Sequence, residues 1–182
     1  MKNIILLTTL LISSCAFIGH KDNRDYTSTT SKQVDKNISI SVFTSSKINN
    51  IVGHIKNGWG METADIEIKQ SRTDLIQNAF EQEFFKMGFT LDSKSDNKLI
   101  TRINQLETEL AQEKGGVGYY SICDLQLYLK TPEGIFERNI IENDAIESLW
   151  YVTAEEGVSS LYKTVNKCIS TSIIEITKKV QK

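Results

Sequence analysis

No stretch of this chain is both apolar and long enough to cross a bilayer as a helix, which takes roughly 20 such residues. Basic residues are not in excess either: 21 Lys and Arg stand against 23 Asp and Glu, for a formal net charge of −2. Nucleic-acid binders carry clustered Lys and Arg, so that class is excluded, as is docking to anionic lipid by charge alone. Histidine is scarce. His20 and His54 stand far apart, with no H-E-x-x-H or paired Cys/His spacing to hold zinc. Gly157-Val158-Ser159-Ser160 lacks the closing glycine of a nucleophile elbow. Gly53-x-x-x-x-Gly58 is followed by Trp59 and Gly60, where a phosphate loop requires Lys and then Ser or Thr. Glu62 and Asp65 form a carboxylate pair, but exposed loop acids are ordinarily just solvated. These absences argue against an enzyme, and no metal or cofactor is expected.

What is present begins at the N-terminus. Lys2 and Asn3 form a short positive start, and residues 4–12 are apolar apart from Thr8 and Thr9. Ile12-Ser13-Ser14 then leads into Cys15. This is the layout of a secretory signal peptide, and the cysteine after two small residues resembles a bacterial lipobox. That resemblance implies diacylglyceryl transfer to the Cys15 sulfur, cleavage before Cys15 and acylation of the new N-terminus. Three acyl chains anchor a protein far more firmly than one. Removal of residues 1–14 takes away only Lys2, leaving 20 bases against 23 acids and a charge of about −3. Residues 15–36 have little apolar content and read as a flexible tether with an r.m.s. span on the order of 25 Å. Ala16 is not the Asp that retains lipoproteins in the inner membrane of enteric bacteria. By analogy, this points to an outer-membrane anchor facing the periplasm.

With Cys15 assigned to the anchor, two cysteines remain, and they allow one pairing. Cys123 shares a strand face with Leu125, Leu127 and Leu129, while Cys168 continues the Leu161 and Val165 stripe of the last helix. Both point into the core, where they are either bridged or a pair of free thiols acting as small hydrophobes.

Residues 37–182 read as one α+β domain. Apolar residues alternate with serine over 38–43, the mark of a strand with one buried face. An irregular stretch follows from 44 to 70, with a possible short strand over 64–68. Ser71 is a helix N-cap with Asp74 in the first turn, and Leu75, Ile76, Ala79, Phe80, Phe84 and Met87 make the apolar stripe. Gly88 sits at the C′ position, with Phe89 placed to pack back on the helix. A three-strand meander over 98–110, 119–130 and 135–142 is joined by turns at 115–118 and 131–134. Thr153-Ala154-Glu155-Glu156 is a capping box for a final helix whose stripe runs from Val158 to Val180. The expected order is β-α-β-β-β-α: a mainly antiparallel sheet with two helices on one face.

The segment with most claim to function is the loop holding Lys56, Asn57, Gly58, Trp59, Gly60 and Asp65. Three glycines within eight residues bracket an aromatic, and long structured loops are often functional. Backbone amides near Gly58 and Gly60 offer an anion nest beside Lys56. Trp59 offers a surface for a sugar ring, with Asn57 and Asp65 reaching its hydroxyls. The plain alternative is that Trp59 and Met61 plug one end of the core. The pattern Gly53-x-x-Lys56-Asn57-Gly58-x-Gly60-Met61-x-Thr63-Ala64-Asp65-Ile66, set between a first strand and an amphipathic helix, resembles the signature of the YajG-like family of uncharacterised bacterial lipoproteins. Members often carry Asp-x-Arg after the first strand, whereas this chain has Thr44-Ser45-Ser46. The family implies an outer-membrane lipoprotein facing the periplasm and no established activity. Three functions fit: a non-catalytic tethered domain that binds an envelope protein or glycan, an accessory subunit of a transport or lipopolysaccharide-assembly complex, and a glycan-binding module built on Trp59.

Overall fold

The structure is a computed structural model that describes residues 37–45, 50–56, 61–113, 116–148 and 153–180. All of them fall within one compact unit, Gln33–Lys182. Cys15 and the proposed tether lie outside the described residues. In chain order the elements are β1 (Asn37–Thr44), β2 (Ile51–Lys56), β3 (Glu62–Glu67), α1 (Arg72–Lys86), β4 (Thr90–Leu91), β5 (Lys98–Glu113), β6 (Gly116–Thr131), β7 (Gly134–Ser148) and α2 (Ala154–Val180).

The helix signals in the sequence are realised atom by atom. The Asp74 backbone N–H donates to Ser71 Oγ at 3.0 Å, satisfying one of the free amides at the start of α1. At its end Gly88 adopts φ +81°, Phe89 N–H donates to Phe84 O at 3.0 Å, and the two rings meet edge to face at 5.1 Å. The capping box of α2 closes in both directions. Thr153 N–H donates to Glu156 Oε2 at 2.6 Å, and Glu156 N–H donates to Thr153 Oγ1 at 3.3 Å.

Three parts of the expected architecture need correction. The first is the stretch from 44 to 70, which holds two strands: β2 and β3 pair antiparallel as a hairpin. With the two-residue β4, they bring the sheet to seven strands. The second is the sheet itself, which is mixed rather than mainly antiparallel. The β5–β6–β7 meander is antiparallel, but β1 runs parallel to β4 and β5, and β2 runs parallel to β5. Parallel pairing follows from the intervening helix, because a strand that returns through a helical crossover arrives pointing the same way. The third is the β5–β6 turn. Both strands extend further than expected, and Gly116 and Gly118 lie within β6 opposite Glu113 and Ala111.

β5 is the spine of the sheet. One edge pairs along its length with β6. The other is shared, with β1 on residues 98–103 and β2 on Thr108 and Glu109. A bulge between Ile103 and Gln105 falls where one partner gives way to the other. α1 packs on β1 and α2, and α2 packs on β5, β6 and β7. The covered face supplies the core: Leu99, Ile103, Leu106, Leu125, Leu127 and Leu129 from the sheet, Ile76, Phe80 and Phe84 from α1, and Leu161, Val165, Cys168 and Ile176 from α2. Gly157 has a packing role of its own. A Cβ there would come within 2.9 Å of the buried Tyr119 ring.

A cross-strand hairpin as candidate functional site

The β2–β3 hairpin is where the candidate loop residues belong. Its buried contribution is small: Val52 and Gly53 from β2, Ile66 from β3, and Ile68 just beyond. Gly53 explains how β2 reaches the sheet. A Cβ at this position would sit 1.8 Å from Thr108 O, so only glycine lets the strand approach β5 this closely. Its φ is not positive, and it is a close-approach residue rather than a turn residue.

The base of the hairpin is closed in two ways. Ile68 N–H donates to Asn50 O at 3.0 Å. The Arg72 guanidinium, 10% exposed, donates through Nη2 to Ile51 O and stands 3.9 Å from Glu107 Oε1. Burial lowers the Arg72 pKa, and the Glu107 carboxylate opposes that shift. Its Nε is buried without a hydrogen-bond partner among the described residues. Arg72 therefore links the start of α1, the start of β2 and the stretch of β5 just past the bulge.

Beyond the buried residues the hairpin is polar and solvated. His54 stands opposite Asp65, with Nδ1 2.8 Å from Asp65 Oδ1 and 3.9 Å from Glu62 Oε2. Lys56 stands opposite Glu62, and Thr63 Oγ1 donates to Ile55 O at 3.0 Å. The candidate residues thus divide. Lys56 and Asp65 sit on facing strands of one hairpin, whereas Asn57, Gly58, Trp59 and Gly60 lie outside the described residues, as does the nest they were read to form. His54, which the sequence offered only as a failed zinc ligand, is the side chain Asp65 engages. Its signal was positional, since the antiparallel register of β2 and β3 sets 54 opposite 65. Among the described residues no group of three His, Cys, Asp or Glu side chains can hold a metal ion.

Cys123 and Cys168 are both fully buried between β6 and α2 as free thiols, and Cys168 Sγ donates to Cys123 O at 3.5 Å.

A family model described as an uncharacterised lipoprotein matches residues 26–175. No curated protein matches the sequence. Among solved structures, a DUF330 protein from Xanthomonas campestris aligns with a TM-score of 0.55 at 15% identity, covering 82% of this chain and 90% of that one. A minor lipoprotein from Acinetobacter baumannii aligns with a TM-score of 0.51 at 9% identity, covering 80% and 93%. At these identities the likeness is one of fold.

Proposed function

The chain belongs to this family of uncharacterised lipoproteins, and from that premise we propose that it is a non-catalytic outer-membrane lipoprotein facing the periplasm, anchored through Cys15, that holds an envelope partner with its β2–β3 hairpin. One observation carries the role of the hairpin: five of the six residues of β3 are exposed, and only Ile66 is buried. A strand that gives the core one side chain does little for the fold, and its solvated row of His54, Glu62 and Asp65 is available for recognition. The family and the lipobox support the anchor, and the described residues contain no helix long and apolar enough to cross a membrane.

The test is photo-crosslinking in cells from Thr63 on the hairpin and, as a control, from Ser159 on α2. An adduct with one envelope protein from Thr63 and none from Ser159 is the expected result. Equal labelling from both sites refutes the hairpin as the contact. Recovery of a membrane complex at fixed stoichiometry identifies an accessory subunit, whereas binding to purified sacculi that Trp59→Ala abolishes identifies a glycan module. Cys15→Ser is expected to release the protein from the membrane fraction. Continued fractionation without a lipid label refutes the anchor.

A further inference from the structure

Two nucleophilic side chains meet in the core, although 45 residues separate them in sequence. Cys123 lies on the covered face of β6 between Ser121 and Leu125, and Cys168 lies midway along α2. The Cys168 thiol is 3.5 Å from Cys123 O and 3.8 Å from Ile140 O, which sets its sulfur against the backbone that carries Cys123. Nothing in core packing alone asks for two adjoining sulfurs, because Ala or Val fills such positions without a reactive group.

We propose that Cys123 and Cys168 are a disulfide site, bridged when the chain folds under oxidising conditions, so that α2 is covalently tied to β6. In the cell this rests on the proposed export, since such bonds persist in the cell envelope and not in the cytosol. The step is thiol–disulfide exchange. One cysteine thiolate attacks an oxidising disulfide, either glutathione disulfide or that of a disulfide oxidoreductase, and expels one thiol. The other cysteine thiolate then displaces the second. Two protein thiols and one external disulfide become one bridge and two external thiols, and electrons and protons balance.

The fold dictates when this happens. Burial, reinforced by the neighbouring Cys168 and by the Asp124 and Glu142 charges, holds the Cys123 thiol well above its ordinary range. A packed, protonated thiol is a poor nucleophile. Exchange therefore precedes the docking of α2, and the redox state is set as the chain folds.

The experiment uses the full-length protein in detergent, reduced and unfolded, then refolded with glutathione disulfide or with reductant. N-ethylmaleimide is added in denaturant and the labelled cysteines are identified by mass spectrometry. The expected result is no label on Cys123 or Cys168 after oxidative refolding, with a peptide linking the two. The bridged form is expected to melt roughly 10 °C above the reduced form, from the closed loop. Full labelling of both cysteines after oxidative refolding overturns the proposal and leaves them as buried hydrophobes. Protein quenched directly from cells separates the two readings. A chain that bridges in the tube but arrives reduced from the cell upholds the disulfide site and refutes export, whereas one that arrives bridged upholds both.

Discussion

Gly53 shows how a single residue can be legible in kind and not in purpose. Its place in a glycine-rich motif suggested freedom to turn, yet the residue is needed because Thr108 O occupies the space a Cβ would take. No local pattern reveals a neighbour 55 positions away. Gly53→Ala is expected to cost about 2–3 kcal/mol, since a backbone carbonyl cannot move aside as a flexible side chain would. Urea denaturation measures this directly. Tyr119 has the opposite character. Its ring is fully buried, but its hydroxyl has no hydrogen-bond partner among the described residues. Tyr119→Phe is therefore expected to be neutral or to stabilise by up to about 1 kcal/mol. The same residue sets a pH dependence. Burial, with the Glu156 charge adding to it, raises the Tyr119 pKa above 10.0. The folded state then keeps its proton while the unfolded chain loses it, so this contribution is complete below pH 10.0 and is lost as pH rises through the folded value. Melting curves at increasing alkalinity should fall less steeply for Tyr119→Phe than for the parent.

Elements with local chemistry were read well, and those defined by distant partners were not. Both caps, the α1 stripe and the meander follow from spacing within a few residues. β2 was missed and β3 was read only as a short strand over 64–68, because their apolar content is thin and a bulged register blurs the alternation. Half of the candidate site suffered for the same reason. Lys56 and Asp65 stood out as residues, but the pairing of Asp65 with His54 becomes visible only once the hairpin is drawn. Thr153→Ala should cost about 1 kcal/mol by removing the hydroxyl from the reciprocal cap of α2, and Thr153→Ser should restore most of it. For the hairpin the relevant measurement is hydrogen exchange. Amides of β3 are expected to exchange by local opening well before those of β6, because β3 buries only Ile66 whereas β6 buries Tyr119, Cys123, Leu125, Leu127 and Leu129. Equal protection of the two strands would mean that the hairpin opens only with global unfolding.

At the scale of the molecule, the α+β class was legible and the mixed sheet was not, although the strand-helix-strand order already required a parallel crossover. The core draws on residues from Ile38 to Ile176. A chain lacking residues 1–36 is therefore expected to melt within a few degrees of the full-length protein, which differential scanning calorimetry will show. The divided edge of β5 has one last consequence. Because β1 and β2 occupy separate stretches of it, the part that carries the core and the part that carries the hairpin have different tolerances to sequence change. Mutational drift along His54, Lys56, Glu62, Thr63 and Asp65 meets little resistance from folding, provided Val52, Gly53, Ile66 and Arg72 stay in place. A lineage of such proteins can thus exchange one partner for another while inheriting the same scaffold.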